Sequence, residues 1–305
     1  MRRYGLGVCA AFALLASCAT TPVASGPVLA ITFDDLPVHG ALPPGTTRRQ
    51  IAREILAAVN EAGVPQAYAF VNAGAVDNDP ELAASLSDWR AAGHPLANHT
   101  WSHQNLNELN VEAYKQEIVR NEAVLAPEKA KPGQFWFRYP FLEDGDDQAK
   151  RREIRRFLAG RGYRIAGVTM SFNDWMFQDA YARCLIKGDA TGLAELEEGV
   201  LTAARDSIAA SRGAAKAVYG GDIPYVLLLH TGVMDAKMMA RLLALYKAEG
   251  FRFVTLEEAQ AHPAYTAENN PSDLSAPGIE TRAAAAGYQA PAPEFDPALL
   301  QRICT

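Results

Sequence analysis

Between residues 28 and 254, apolar strand-like runs and amphipathic helical runs alternate about seven times, with short connections. Parallel strands need long crossovers, and crossovers that are themselves helical place the helices over a parallel sheet, open or closed. Strands are expected at 28–33, 67–71, 95–97, 135–137, 163–170, 225–229 and 251–254, most of them near-continuous apolar runs suited to burial on both faces. Helices are expected at 48–62, 80–92, 111–125, 147–159, 193–210 and 235–249; Gly63 and Gly93 stop the first two. No internal repeat accompanies the alternation. At 305 residues, length alone suggests two domains, but α/β barrels of this size fold as one. The pattern stops after His262. Residues 264–297 read as an extended surface tail, with a last helical turn near 296–303.

Residues 28–262 therefore read as one domain and 263–305 as a tail, preceded by an address. Met1-Arg2-Arg3-Tyr4 is a positive start, and the apolar stretch 5–16 is too short to span a bilayer, the layout of a secretory signal. Leu15-Ala16-Ser17-Cys18 resembles a bacterial lipobox. By that resemblance residues 1–17 are removed, Cys18 is lipidated, and 18–27 is a tether holding an exported domain at the envelope, on the periplasmic side of an outer membrane. The alternative is an ordinary signal cut near Ala19. Of four cysteines, Cys9 leaves with the signal and Cys18 takes lipid. Cys184 and Cys304 remain as a pair in a disulfide-permissive compartment, either bonded to each other or two unrelated buried thiols. A composition of 49% hydrophobic residues excludes a disordered chain, and a net charge of −6 without a long Lys/Arg cluster argues against nucleic acid as a partner. No apolar run reaches the ~18–20 residues of a membrane span, so membrane contact is expected through the lipid alone. Oligomeric state is not legible.

Chemistry collects where the strands end, which in α/β barrels is where active sites form. The first strand ends in Asp34-Asp35. Leu96 is followed by His99-Thr100-Trp101-Ser102-His103, the Trp136 strand by Arg138-Tyr139-Pro140, the Val168 strand by Asp174-Trp175, and the Leu229 strand by His230. Each alone is weak: adjacent acids are common on turns, and His99 and His103 share a face only if their segment is helical. A carboxylate pair closing a buried strand nevertheless needs a cation nearby. One carboxylate with two imidazoles suits a zinc ion and leaves room for water and a substrate oxygen. No G-x-S-x-G elbow supports a covalent acyl-enzyme.

In this order, Thr32-Phe33-Asp34-Asp35, His99–His103, Arg138-Tyr139-Pro140, Asp174-Trp175 and Leu227-Leu228-Leu229-His230 resemble the motifs of the polysaccharide deacetylases, the NodB-homology carbohydrate esterases. The resemblance implies a distorted (β/α)7-type barrel that removes N-acetyl groups from a glycan such as peptidoglycan, chitin-like oligomers or an exopolysaccharide. It implies a divalent metal, zinc before cobalt or manganese, on Asp35, His99 and His103. Asp34 would be the base paired with Arg138, and His230 the acid oriented by Asp174. The Phe141 backbone N–H would serve the oxyanion, and Trp175 and Tyr139 the sugar. The same groups suit an O-acetyl esterase, and loss of any of them would leave a carbohydrate-binding protein; none is missing. Two departures stand out: Pro140-Phe141-Leu142 replaces a common Pro-Tyr-Gly, and Ser171 stands where an acid is common. The acidic run 143–147 is either a rim for a cationic substrate or the solvated start of the next helix. Residues 176–224 are an insertion that either fences the substrate groove or pads the fold. His39, His94 and His262 match no motif and read as surface or structural.

Overall fold

The computed structural model describes residues 26–77, 79–131, 135–266, 271 and 278–305; Cys18 and the leader fall outside them. Seven parallel strands form one curled sheet: β1 (Val28–Leu36), β2 (Tyr68–Val71), β3 (Leu96–Asn98), β4 (Trp136–Phe137), β5 (Arg164–Ile165), β6 (Tyr225–His230) and β7 (Arg252–Val254). Their order is β5-β4-β3-β2-β1-β6, with β7 also pairing to β1. This is the expected distorted (β/α)7 architecture. β1 is its axis, hydrogen-bonded to three neighbours, and Leu29, Ala30, Ile31 and Phe33 are almost wholly buried, as an apolar run covered on both faces must be.

The helices are α1 (Arg48–Glu61), α2 (Pro80–Ala91), α3 (Val111–Asn121), α4 (Ala126–Lys129), α5 (Gln148–Gly160), α6 (Gln178–Lys187), α7 (Ala190–Tyr219), α8 (Val233–Ala248), α9 (Leu256–Gln260), α10 (Ile279–Ala285) and α11 (Leu299–Arg302). α1 illustrates the local logic. Thr47 caps it by accepting from the Gln50 N–H, and Ile51, Ile55, Leu56 and Val59 form its buried face. Each such side chain contributes about 1.5–3 kcal/mol on burial.

Three expectations change. The helix expected at 111–125 ends at Asn121, and a separate short helix, α4, follows beyond it at Ala126–Lys129. The strand expected at 163–170 shrinks to Arg164–Ile165, and Met170 bridges to Leu227 instead, across the seam between β5 and β6. The C-terminal region is not simply an extended strap. α10 buries Ile279 and Ala283 and packs on α7, which at 30 residues is far longer than the 193–210 read from periodicity. The glycines of α7 explain the docking. A Cβ on Gly199 would lie 2.9 Å from the Phe295 ring, and one on Gly213 would collide with Tyr288. Rings from the C-terminal region seat where α7 has no side chain. Cys184 of α6 is bonded to Cys304, with Cα atoms 5.1 Å apart, tying the chain end to the same helical layer.

Candidate active site

Asp34 and Asp35 are consecutive, so in a regular strand they would face opposite sides of the sheet. β1 avoids this with an irregularity: Phe33 pairs with Ala69 and Leu36 with Val71, so three steps on β1 match two on β2, and Asp35 adopts a left-handed φ of 60°. Both carboxylates thereby reach one imidazole. His99 Nε2 is 3.6 Å from Asp34 Oδ2 and 3.5 Å from Asp35 Oδ1.

His99 and His103 meet without a helix, which corrects the condition placed on their spacing. Their segment is a loop with left-handed φ at Thr100 (66°) and His103 (56°). A buried amide network holds it. Asn98 Oδ1 accepts from the Thr100 N–H at 2.9 Å and from Asn121 Nδ2 at 2.9 Å, while Asn98 Nδ2 donates to the Ile118 carbonyl at 3.0 Å and Tyr163 Oη at 2.6 Å. Asn72 Nδ2 donates to the His99 and Thr100 carbonyls, and the Glu117 carboxylate accepts from the Ser102 N–H and hydroxyl. His99 Nδ1 is matched to the Arg138 carbonyl at 2.9 Å, which leaves Nε2 to face the carboxylates. His103 Nε2 lies 3.1 Å from Asp35 Oδ1.

These donors fit a divalent cation. Asp35 Oδ1 is buried with no hydrogen-bond donor, and its separations from the two Nε2 atoms are those of ligands about 2.0–2.1 Å from a shared ion. Burial pushes the Asp35 carboxyl up, but the His39 hydrogen bond and the imidazoles of His99, His103 and His230 outweigh it and hold the group well below the usual carboxylate range. Burial, then the neighbouring His99, brings His103 down to about 4 against the pull of Asp35 and Asp34. Its lone pair is therefore available near neutral pH.

Arg138 crosses the barrel from the end of β4. Nη1 donates to Asp34 Oδ1 at 2.7 Å and to Thr32 Oγ1 at 2.9 Å, and Nε to the Ala166 carbonyl at 3.2 Å. On the other side, β6 delivers His230 next to Asp34 in register. Asp174 engages its backbone and its ring, accepting from the backbone N–H at 2.6 Å on Oδ2 and meeting Nδ1 at 2.9 Å on Oδ1, so that Nε2 stays free of it. Burial opposes charge on His230, but Asp174 wins and its pKa is pushed up to about 10. Asp235 of α8 was not anticipated. It lies against Asp174, donates nothing in its charged form, and is bonded by Gln178 Nε2 at 2.5 Å. Burial and then the Asp174 charge push its carboxyl well above the usual carboxylate range, which favours the neutral acid. An acid five residues past His230 at the first turn of a helix carries no chemical signature in sequence.

Trp175 is exposed, and Phe141 is 60% exposed with its ring centroid 4.5 Å from that of His103. Phe141 adopts a left-handed φ of 59° in the 3-10 turn Pro140–Leu142, so this residue presents its ring at the mouth as well as its backbone. Tyr139 does not present a face to sugar. It is buried, stacked with Tyr114 and edge-on to Phe137, because it follows β4 pointing back into the core. The acidic run is spent locally: Asp147 caps α5 and Asp144 pairs with Arg151 at 2.6 Å. A cleft of about 420 Å³ runs beside Asp35 and His103, lined also by Val38, Asn72, Gly74 and Trp101.

Among the three unassigned histidines, His94 accepts from the Ala67 N–H and His262 from the Ala264 N–H, as structural residues do. His39 is different. Its Nδ1 is 2.7 Å from Asp35 Oδ2 and its ring lies 4.4 Å from that of His230, inside the site. Its spacing of four from Asp35 was the available signal, and a loop position beyond a proline hid it.

Residues 22–157 match the sequence model of the polysaccharide deacetylase family. No curated protein matches the chain. Among solved structures, the chitin deacetylase of the fungal pathogen Colletotrichum lindemuthianum is similar at 20% identity and a TM-score of 0.52, covering 77% of this chain and 88% of its own. BA3943 of Bacillus anthracis, a family 4 carbohydrate esterase pseudoenzyme, is similar at 14% identity and 0.51, covering 78% and 66%. A BA3943 mutant with restored enzymatic activity gives 14% and 0.53, covering 78% and 68%. At these identities the likeness is one of fold. The motif residues are drawn to one end of this barrel, and residues 22–157, just under half of the chain, match the polysaccharide deacetylase family, whose fold the solved structures share.

Proposed function

We propose that the protein removes N-acetyl groups from an envelope or environmental glycan in a metal-dependent reaction, giving acetate and a free amine. The observation that carries this reading is the convergence of Asp35, His99 and His103 next to the Asp34–Arg138 pair and the Asp174–His230 pair. A divalent ion, zinc by the softness of its ligands, would be held by Asp35, His99 and His103 and would supply Lewis-acid polarisation of the acetamide and activation of water.

The remaining work belongs to the chain. Asp34 accepts the proton of the attacking water, and Arg138 keeps it ionised and aimed. The backbone N–H of Phe141 is offered to the developing oxyanion. His230, protonated because Asp174 faces its Nδ1, donates to the departing amine. Asp174 fixes the ring so that Nε2 points into the site. Trp175 and Phe141 give flat apolar surface for sugar rings.

The leader supports export, and Cys18 supports a lipid anchor on the periplasmic side of an outer membrane. The Cys184–Cys304 bond is consistent with an oxidising compartment. Acetate release from N-acetylglucosamine oligomers, set against acetylated xylan, tests the bond that is cut. Faster turnover of the xylan ester overturns the N-deacetylase assignment.

A further inference from the structure

We propose that Asp35 serves two ions, and that its second oxygen forms with His39 and His230 a weaker zinc site whose filling stops turnover. The inference rests on the metal-dependent reading above.

Asp35 stands between two pairs of imidazoles. Oδ1 faces His99 and His103, while Oδ2 lies 2.7 Å from His39 Nδ1 and 4.0 Å from His230 Nε2. The donor atoms of Asp35, His39 and His230 all fall within 4.8 Å of one another, as those of the first group do. Ligands about 2.0–2.1 Å from one tetrahedral ion are separated by roughly 3.4 Å, and 2.7 and 4.0 Å bracket that value. An ion would enter by opening the 2.7 Å contact of His39 Nδ1 with Asp35 Oδ2 towards that separation.

Both imidazoles are placed for this, and the ion must displace the proton on His230 Nε2, which further weakens the site. Asp174 occupies His230 Nδ1 and leaves Nε2 outward, the carboxylate–histidine arrangement that orients zinc ligands. His39 is held through its backbone. Arg48 donates to the His39 carbonyl and, at 2.6 Å, to that of Gly40. Gly40 has φ 66°, and a Cβ there would lie 2.9 Å from Gln178 Cβ, so the loop is packed against α6. The His39 side chain keeps 18% exposure, which gives an ion a path from solvent.

The consequences follow from shared atoms. His230 Nε2 is the atom that hands a proton to the amine, so an ion on it removes the acid. The second ion binds beside a first through one carboxylate, and repulsion between the two makes it the weaker. Activity should therefore rise with the first equivalent of zinc and fall with excess.

Titration of the metal-free protein with zinc by calorimetry, with zinc content after dialysis and acetate release measured at each point, tests this. The expected result is two equivalents, the second at least about tenfold weaker, with acetate release falling as it binds. His39→Ala and His39→Gln should each bind one equivalent and show no fall at excess zinc, with circular dichroism reporting their folding. A single equivalent in the wild-type protein overturns the second site and leaves the first intact, as does a second equivalent retained in both folded variants. Failure of the wild-type protein to bind any zinc overturns the metal-dependent reading itself.

Discussion

Arg138 Nη1 lies 2.7 Å from Asp34 Oδ1, and both side chains are buried. A buried ion pair of this kind is costly to break from one side, because the survivor keeps its charge without a partner. Asp34→Asn keeps the hydrogen bond but removes the base. Acetate release should drop about 10²–10⁴-fold, and the melting temperature should fall less than in a variant that removes Arg138, because the hydrogen bond remains and only the charge is unbalanced. Arg138→Met should instead cost stability, by about 3–5 kcal/mol in urea unfolding, because Asp34 is then stranded. Equal stability losses in the two variants would contradict these separate roles.

The pH profile reports the Asp174–His230 pair. His230 must be protonated to act, and with its pKa at about 10 the alkaline limb of the rate should lie near that value. Asp174→Asn removes the charge that raises it, leaving burial, which lowers it. The limb should move below about 7. The same shift sets a stability trend. A folded pKa above the unfolded value of about 6.5 gives stability that is complete below 6.5, declines as pH rises, and is lost above about 10. His230→Gln should flatten unfolding free energy across that window.

Asp235 is buried against Asp174, and both the burial and that charge favour its neutral form. Asp235→Asn matches it in charge and shape, so unfolding free energy should change by less than about 1 kcal/mol. Asp235→Ala strands Gln178 Nε2 and should cost about 1–3 kcal/mol by the same measurement. An asparagine variant as unstable as the alanine variant would mean that Asp235 is charged.

Trp175 and Phe141 are large exposed apolar side chains, Trp175 following Asp174 in the chain and Phe141 lying against His103. Alanine at either should raise KM for a tetramer of N-acetylglucosamine several-fold, with a smaller change in kcat, because stacking holds the substrate in both the ground and transition states. Tyr139→Phe, in the core, should leave KM unchanged.

The Cys184–Cys304 bond closes a loop of sequence separation 120. Cys304→Ser should lower stability by about 2–5 kcal/mol, read as a fall in melting temperature, while acetate release at 25 °C persists. The chain end lies on α6 and α7, apart from the catalytic groups.

The alternation of strands and helices and the motif groups were legible because apolar runs and strand-end chemistry are local. His99, Arg138 and His230 converge where β3, β4 and β6 end, while His103 and Asp174 reach them from the loop beyond β3 and the turn after β5. Backbone irregularity was not legible. Nothing in Asp34-Asp35 announces the left-handed turn that aims both carboxylates at His99, and the His99–His103 spacing implied a helix where amide side chains hold a loop instead. His39 went unrecognised because its partner is met through a turn. Tyr139 was misassigned because sequence does not say which side of a strand end faces inward. The docking of residues 278–305 on α7 was not legible, because Gly199 and Gly213 carry no periodic signal yet serve as seats for Phe295 and Tyr288.

The central claim is that Asp35, His99 and His103 hold the ion on which amide hydrolysis depends. The direct measurement is acetate release from N-acetylglucosamine oligomers by protein stripped with a chelator and then given back zinc, beside His99→Ala and His103→Ala treated in the same way. The account predicts that stripping abolishes release, that one equivalent restores it, and that neither variant recovers. Undiminished release by the stripped protein, or full recovery in both variants, would contradict it.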